Sequence, residues 1–130
     1  MSTQTISVET ALEGLRKNFV EEEVSDLFKD IMRAALTEDY SVRNFTPGEI
    51  LKFMNDLHLI LTAAAFSLSE ASVDPEITEL FAKYDADQQH LYLTHIQEAT
   101  LSAQPLTELT NAGAAFEVFE RLKEYVLSEY

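Results

Sequence analysis

Chemistry in this chain would have to be assembled from three histidines, His58, His90 and His95, and a carboxylate-rich stretch from Glu70 to Glu98. Imidazoles and carboxylates are metal ligands and acid–base groups. Their spacing here suits neither use. His90 and His95 are five residues apart, so on a continuous helix they diverge by roughly 140°. His95 and Glu98 are three apart and share a face. A di-iron bundle, however, repeats Glu-x-x-His on two helices and adds two further glutamates. No Glu-x-x-His occurs, and the nearest match, Asp87-x-x-His90, occurs once. His58 lies among Leu57, Leu59 and Ile60, which reads as a hydrogen-bonded core or boundary histidine. There is no cysteine nucleophile, and three glycines in the whole chain leave no glycine-rich elbow or phosphate-cradling loop. No catalytic residue, cofactor or metal is expected, and the chain reads as non-enzymatic.

A second pattern overlaps the acidic stretch. Leu80-Phe81-Ala82-Lys83-Tyr84-Asp85-Ala86-Asp87 resembles the entry of an EF-hand, and Leu93-Thr94 with Gln97 and Glu98 resembles its exit. Upstream, Phe45-Thr46-Pro47-Gly48-Glu49 is similar to the end of such a loop. The resemblance implies calcium, held by oxygen ligands at loop positions 1, 3, 5 and 12 around a glycine at 6. Counted from Asp85, position 5 is Gln89, position 6 is His90 and position 12 is Ile96. Counted back from Glu49, positions 1, 3, 5 and 6 are Glu38, Tyr40, Val42 and Arg43. These residues lack the ligand set, so both places read as helix–loop–helix joints with capping residues.

Charge is the most pronounced property. The chain has 23 Asp and Glu against 9 Lys and Arg, a net charge of −14 on 130 residues. Glu70, Asp74, Glu76, Glu79, Asp85, Asp87 and Glu98 face a single base, Lys83, in the stretch they span. Such a surface repels nucleic acid and anionic membranes and attracts a basic protein. The expected partner surface is Glu70, Asp74, Glu76, Glu79, Asp85 and Asp87. The expected function is an acidic protein–protein interaction module that inhibits or regulates a basic, nucleic-acid-handling partner by mimicking phosphates. The alternative is an assembly factor or chaperone-like accessory protein that binds through an apolar helix or groove. Self-association through the Phe116–Val126 face is a third reading. The absence of cysteine and of a basic-plus-apolar leader points to the cytoplasm.

These residues need elements to hold them. Three Gly and three Pro are few, which favours long helices and short joints. Val8, Ala11, Leu12, Leu15 and Phe19 form one helical face that begins near Ser7. Val24, Leu27, Phe28, Ile31, Met32, Ala35 and Leu36 keep the 3-4 spacing without a miss, behind a first turn of Glu21, Glu22 and Glu23 that suits the helix dipole. Residues 38–46 read as a loop. Thr46, Pro47 and Glu49 then form an N-cap, a first-position proline and a capping box. The helix they start runs to about Leu68 and is apolar nearly all round in its second half, which predicts a central place, about 47–68. Asp74-Pro75 repeats the start signal, Asp85-Ala86-Asp87 breaks the chain, and Ala103-Gln104-Pro105 ends the next run. The last helix starts near Thr107 or Thr110, where Gly113 and its alanines leave a thin surface. Tyr40 and Tyr130 are the tyrosines expected at the surface. The longest apolar stretch, Leu57–Leu68, is too short to cross a membrane. The expectation is a single all-α domain over 1–130, a bundle of five or six helices with short loops.

Overall fold

The computed structural model describes residues 7–37, 45–67, 75–101 and 106–130. All the regular structure among them is helical: α1 Val8–Asn18, α2 Glu21–Thr37, α3 Pro47–Ser67, α4 Pro75–Lys83, α5 Ala86–Leu101, α6 Leu106–Leu109 and α7 Ala112–Ser128. The count is seven rather than five or six. The difference is α6, a single turn that ends at Leu109, after which Asn111 caps α7 as a separate helix.

The helix starts follow from capping chemistry. The first amides of a helix have no partner inside it, so an upstream side-chain oxygen takes them. Ser7 Oγ accepts from Thr10 N at 3.1 Å and Asn111 Oδ1 from Ala114 N at 3.1 Å. Thr46 and Glu49 form the reciprocal box read from the sequence, with Glu49 N on Thr46 Oγ1 at 3.2 Å and Thr46 N on Glu49 Oε1 at 3.0 Å. Glu23, in the acidic first turn of α2, accepts from Val20 N at 3.0 Å.

Neighbouring helices run α1 to α3, α3 to α5, α5 to α7 and α7 to α4, with α2 laid against α5 and α7 and touching α3 and α6. Phe28 on α2 ties this arrangement together. Its ring meets Phe53 of α3 edge-on at 5.0 Å and Phe119 of α7 at 4.7 Å, while Phe53 also meets Phe19 edge-on at 5.7 Å. Leu15, Leu27, Ile31, Ile50, Met54, Leu57, Ile60 and Leu61 fill the space around them.

The helix α3 is buried on one side and exposed on the other. That helix packs on α1 and α5 and touches α2, and its outer strip, with Leu51, Asn55, Leu59 and Thr62, is exposed. Apolar content alone therefore overstated its enclosure, because two exposed leucines belong to that strip. The helix with the most helical neighbours is α5, which packs against α2, α3, α6 and α7. Contact on so many sides explains its weak amphipathic pattern. Gln89 and Thr100 are buried on it beside Leu93, Ile96 and Ala99. Thr100 satisfies its hydroxyl on the Ile96 carbonyl at 2.7 Å, and Gln89 Nε2 donates to the Tyr84 carbonyl at 2.9 Å.

Residues 129 and 130 bond to α1 and the α1–α2 joint. Tyr130 is half-buried and its hydroxyl donates to the Phe19 carbonyl at 2.9 Å, and Arg16 donates to the Glu129 carbonyl. This corrects the expectation of an exposed Tyr130. The α1–α2 joint offers a bare carbonyl, and a terminal tyrosine reaches it. Tyr40 lies outside the described residues. No helix among the described residues is long and apolar enough to cross a membrane.

Candidate functional site

The expected acidic surface is distributed over α4, the α4–α5 joint and α5. Glu70 and Asp74 lie outside the described residues, and of Glu76 the structure describes the backbone within α4. Glu79, Asp85 and Asp87 are exposed. Their roles differ. Asp85 Oδ1 accepts from Gln88 N at 2.8 Å while Gln88 Oε1 accepts from Asp85 N at 3.1 Å. Asp85 is thus the N-cap of α5, closed by a glutamine in a reciprocal box. Asp87 adds negative charge to the same first turn, where the helix dipole favours it. The Asp-x-Asp that resembles a calcium loop is therefore a two-residue helix corner, Tyr84-Asp85, followed by the first turn of α5, with Asp85 accepting from the Gln88 amide. Among the described residues no group of three His, Cys, Asp or Glu converges as a metal site.

Glu79 opens onto a groove of about 340 Å³ between α4 and α7, lined by Glu79, Leu80, Ala82, Lys83, Glu117 and Arg121. Its cations are engaged by its own acids. Lys83 Nζ bonds both carboxylate oxygens of Glu117 at 2.8 and 2.9 Å, Tyr84 donates to Glu117 Oε1 at 2.8 Å, and Arg121 stands 4.0 Å from Glu79. The Lys83 bond, then the Tyr84 bond, hold the Glu117 carboxyl below the usual glutamate range, and the same bond raises Lys83. From residue 53 to the C-terminus the chain carries thirteen carboxylates and three cations, Lys83, Arg121 and Lys123. Two of those three are thus drawn onto carboxylates inside this groove. The stretch from residue 53 onward thus carries ten more carboxylates than cations.

The histidines sort differently from their sequence spacing. His90 and His95 do not meet; His90 meets His58 of α3, across 32 positions, with Nδ1 to Nδ1 at 2.7 Å. Both rings are half-buried at the α3–α5 seam. His58 is the hydrogen-bonded boundary histidine expected of it. The partner was not legible, since a contact between helices leaves no trace in either local pattern. His95 Nδ1 is buried without a partner. Burial depresses the proton affinity of both paired rings, and for His58 the neighbouring imidazole adds to this.

The remaining candidates lie on α7, α3 and α5. On α7, Val118, Phe119, Leu122, Tyr125 and Val126 turn into the core and Phe116 is the exposed member of that stripe. Ala115 is buried, whereas Gly113 is exposed and a side chain there would meet nothing closer than Asn111 Oδ1 at 3.4 Å. Leu51 and Leu59 on α3 and Leu91 on α5 are exposed large apolar side chains. Comparison of the chain with protein-family models, with curated proteins and with solved structures gives no match.

Proposed function

We propose that this chain is a non-enzymatic interaction protein that presents a carboxylate-rich helical surface to a basic protein partner, and that it works in the cytoplasm as an inhibitor or regulator of a nucleic-acid-handling protein. The observation that carries this reading is the uncompensated charge of the second half of the chain, where Lys83 and Arg121 are already drawn onto Glu117 and Glu79. Carboxylates on rigid helices stand in for phosphates, and complementary charge speeds encounter and rejects wrong partners. The contact residues of this reading are Glu70, Asp74, Glu76, Glu79 and Asp87, with Asp85 contributing charge in addition to its cap.

A second reading rests on one observation, the exposed leucines of α3 and α5. An assembly or chaperone-like factor would use them as an apolar landing strip. Salt separates the two readings. Raising ionic strength from about 0.1 M to about 1 M shortens the screening length from roughly 10 Å to roughly 3 Å. Affinity capture from the native cell's lysate at low and high salt is the test. A basic nucleic-acid-binding protein released by salt supports the acidic-surface reading. A partner retained at high salt refutes it in favour of the apolar strip.

A further inference from the structure

The paired imidazoles do more than fill the α3–α5 seam. Their ring centroids are 5.0 Å apart and their planes differ by 7°. With Nδ1 to Nδ1 at 2.7 Å, that centroid distance equals the bond plus one ring radius at each end. Both nitrogens therefore lie on the line between the rings, and the rings are coplanar and end to end, not face to face. This is the geometry of an in-plane N–H···N hydrogen bond, which requires one nitrogen to carry the proton and the other a lone pair.

The direction of that bond follows from Thr62. Its hydroxyl donates to the His58 carbonyl at 2.9 Å, so its oxygen is left to accept from His90 Nε2 at 3.4 Å. A protonated Nε2 makes neutral His90 the acceptor at Nδ1 and His58 the Nδ1–H donor. The first added proton goes to His58 Nε2 and keeps the bond. The second has only His90 Nδ1 to take, which removes the acceptor and sets two cations nose to nose.

We propose that His58 and His90 form a proton-operated latch on the α3–α5 seam, closed while the pair holds no more than one added proton and opened by the second. The charges around it leave this arithmetic intact. Asp87, three residues before His90 on α5, favours protonation of that ring. Asp56 on α3 is held by Asn18 of α1 at 3.1 Å. His95, five residues along α5 from His90, lies roughly 140° round the helix. No charged group of α1, α2, α6 or α7 among the described residues bears on either ring.

The sign is definite. Both rings hold protons less tightly folded than unfolded, so the unfolded chain binds them first as pH falls. The latch contributes its full stability above the ordinary histidine value of about 6.5 and loses it below. Overall charge acts in the opposite direction, because acid relieves the self-repulsion of a −14 chain. Loosening confined to α3 and α5 as pH falls below the ordinary histidine value is therefore a signature of the pair.

Histidine ¹⁵N NMR with amide hydrogen exchange tests this on the full chain. The expected neutral-pH spectrum has His58 protonated at Nδ1 and His90 at Nε2, followed by two well-separated titration steps. Protection of the Ile60, Leu61, Leu93 and Ile96 amides should be lost relative to α7 as pH falls from 7 to 5. In His90→Asn, which cannot take the second proton, that loss should shrink to the part carried by His58 alone. Two independent titrations near the ordinary value overturn the proposal, as does equal loosening in His90→Asn. The titration of the unmodified protein decides the matter even if the variant does not fold.

Discussion

Asp85 separates a structural acid from an interaction acid within one surface. It caps α5 through two hydrogen bonds with Gln88, at 2.8 and 3.1 Å. Replacing it with alanine leaves Gln88 N without its partner and removes charge from the positive end of the helix. Loss of an N-cap costs about 1 kcal/mol, within a range of roughly 0.5–2. Loss of the dipole-matched charge at an exposed site costs a further ~0.3–1 kcal/mol. Asparagine retains the acceptor and loses only the charge. Asp85→Ala should therefore destabilise by about 1.5–2 kcal/mol and Asp85→Asn by about 0.5 kcal/mol. Urea denaturation followed by circular dichroism reads the difference. With a slope of about 2 kcal/mol/M, the alanine variant should shift the midpoint down by ~0.7–1 M and the asparagine variant by ~0.25 M. Because α5 contacts four other helices, the loss should appear in the single global transition, not as local fraying. Equal midpoints for the two variants would refute the cap and leave Asp85 as surface charge alone.

Three further outcomes follow from the packing. Phe28→Ala removes the ring shared by α3 and α7 and should cost about 3–5 kcal/mol in the same denaturation assay. Gly14, in the interior of α1, has nothing within 4 Å of an added methyl, so Gly14→Ala should stabilise by about 0.5–1 kcal/mol and raise the melting temperature. Tyr130→Phe deletes the bond to the Phe19 carbonyl and should cost about 1 kcal/mol, with faster amide exchange in α1 as its local sign.

Much of the fold was legible because its signals are local. Ser7, Thr46-Pro47 and the apolar stripes of α1 and α2 declare themselves within a few residues, and the structure places those helices where the spacing predicts them. The Asp85 break was legible in position. Its cause, a capping box closed by Gln88, was obscured by a resemblance to a calcium loop that shares the aromatic-Asp-x-Asp sequence. What failed was nonlocal. The neighbours of α5 depend on which helices surround it, so the burial of Gln89 and Thr100 leaves no local signal. The apolar run of α3 pointed to the centre although Leu51 and Leu59 face outward. Tyr130 looked like a loose end because nothing near it in sequence shows the Phe19 carbonyl it binds. Of the candidate site, composition revealed the charge, whereas the engagement of Lys83 and Arg121 required the α4–α7 contact. The His58–His90 pair, set by the α3–α5 crossing, left no sequence signal.

The central claim is that carboxylates outside the capping box bind a basic partner. Its most direct measurement uses Glu76→Lys, Glu79→Lys and Asp87→Lys combined, with Asp85 kept so that α5 remains capped. The wild type and this variant are immobilised side by side and exposed to the same native lysate at low and high salt, after circular dichroism confirms that both are folded. The expected result is a basic protein captured by the wild type at low salt, released by high salt, and missing from the folded variant at both. Capture of the same protein by the folded variant at low salt would contradict it.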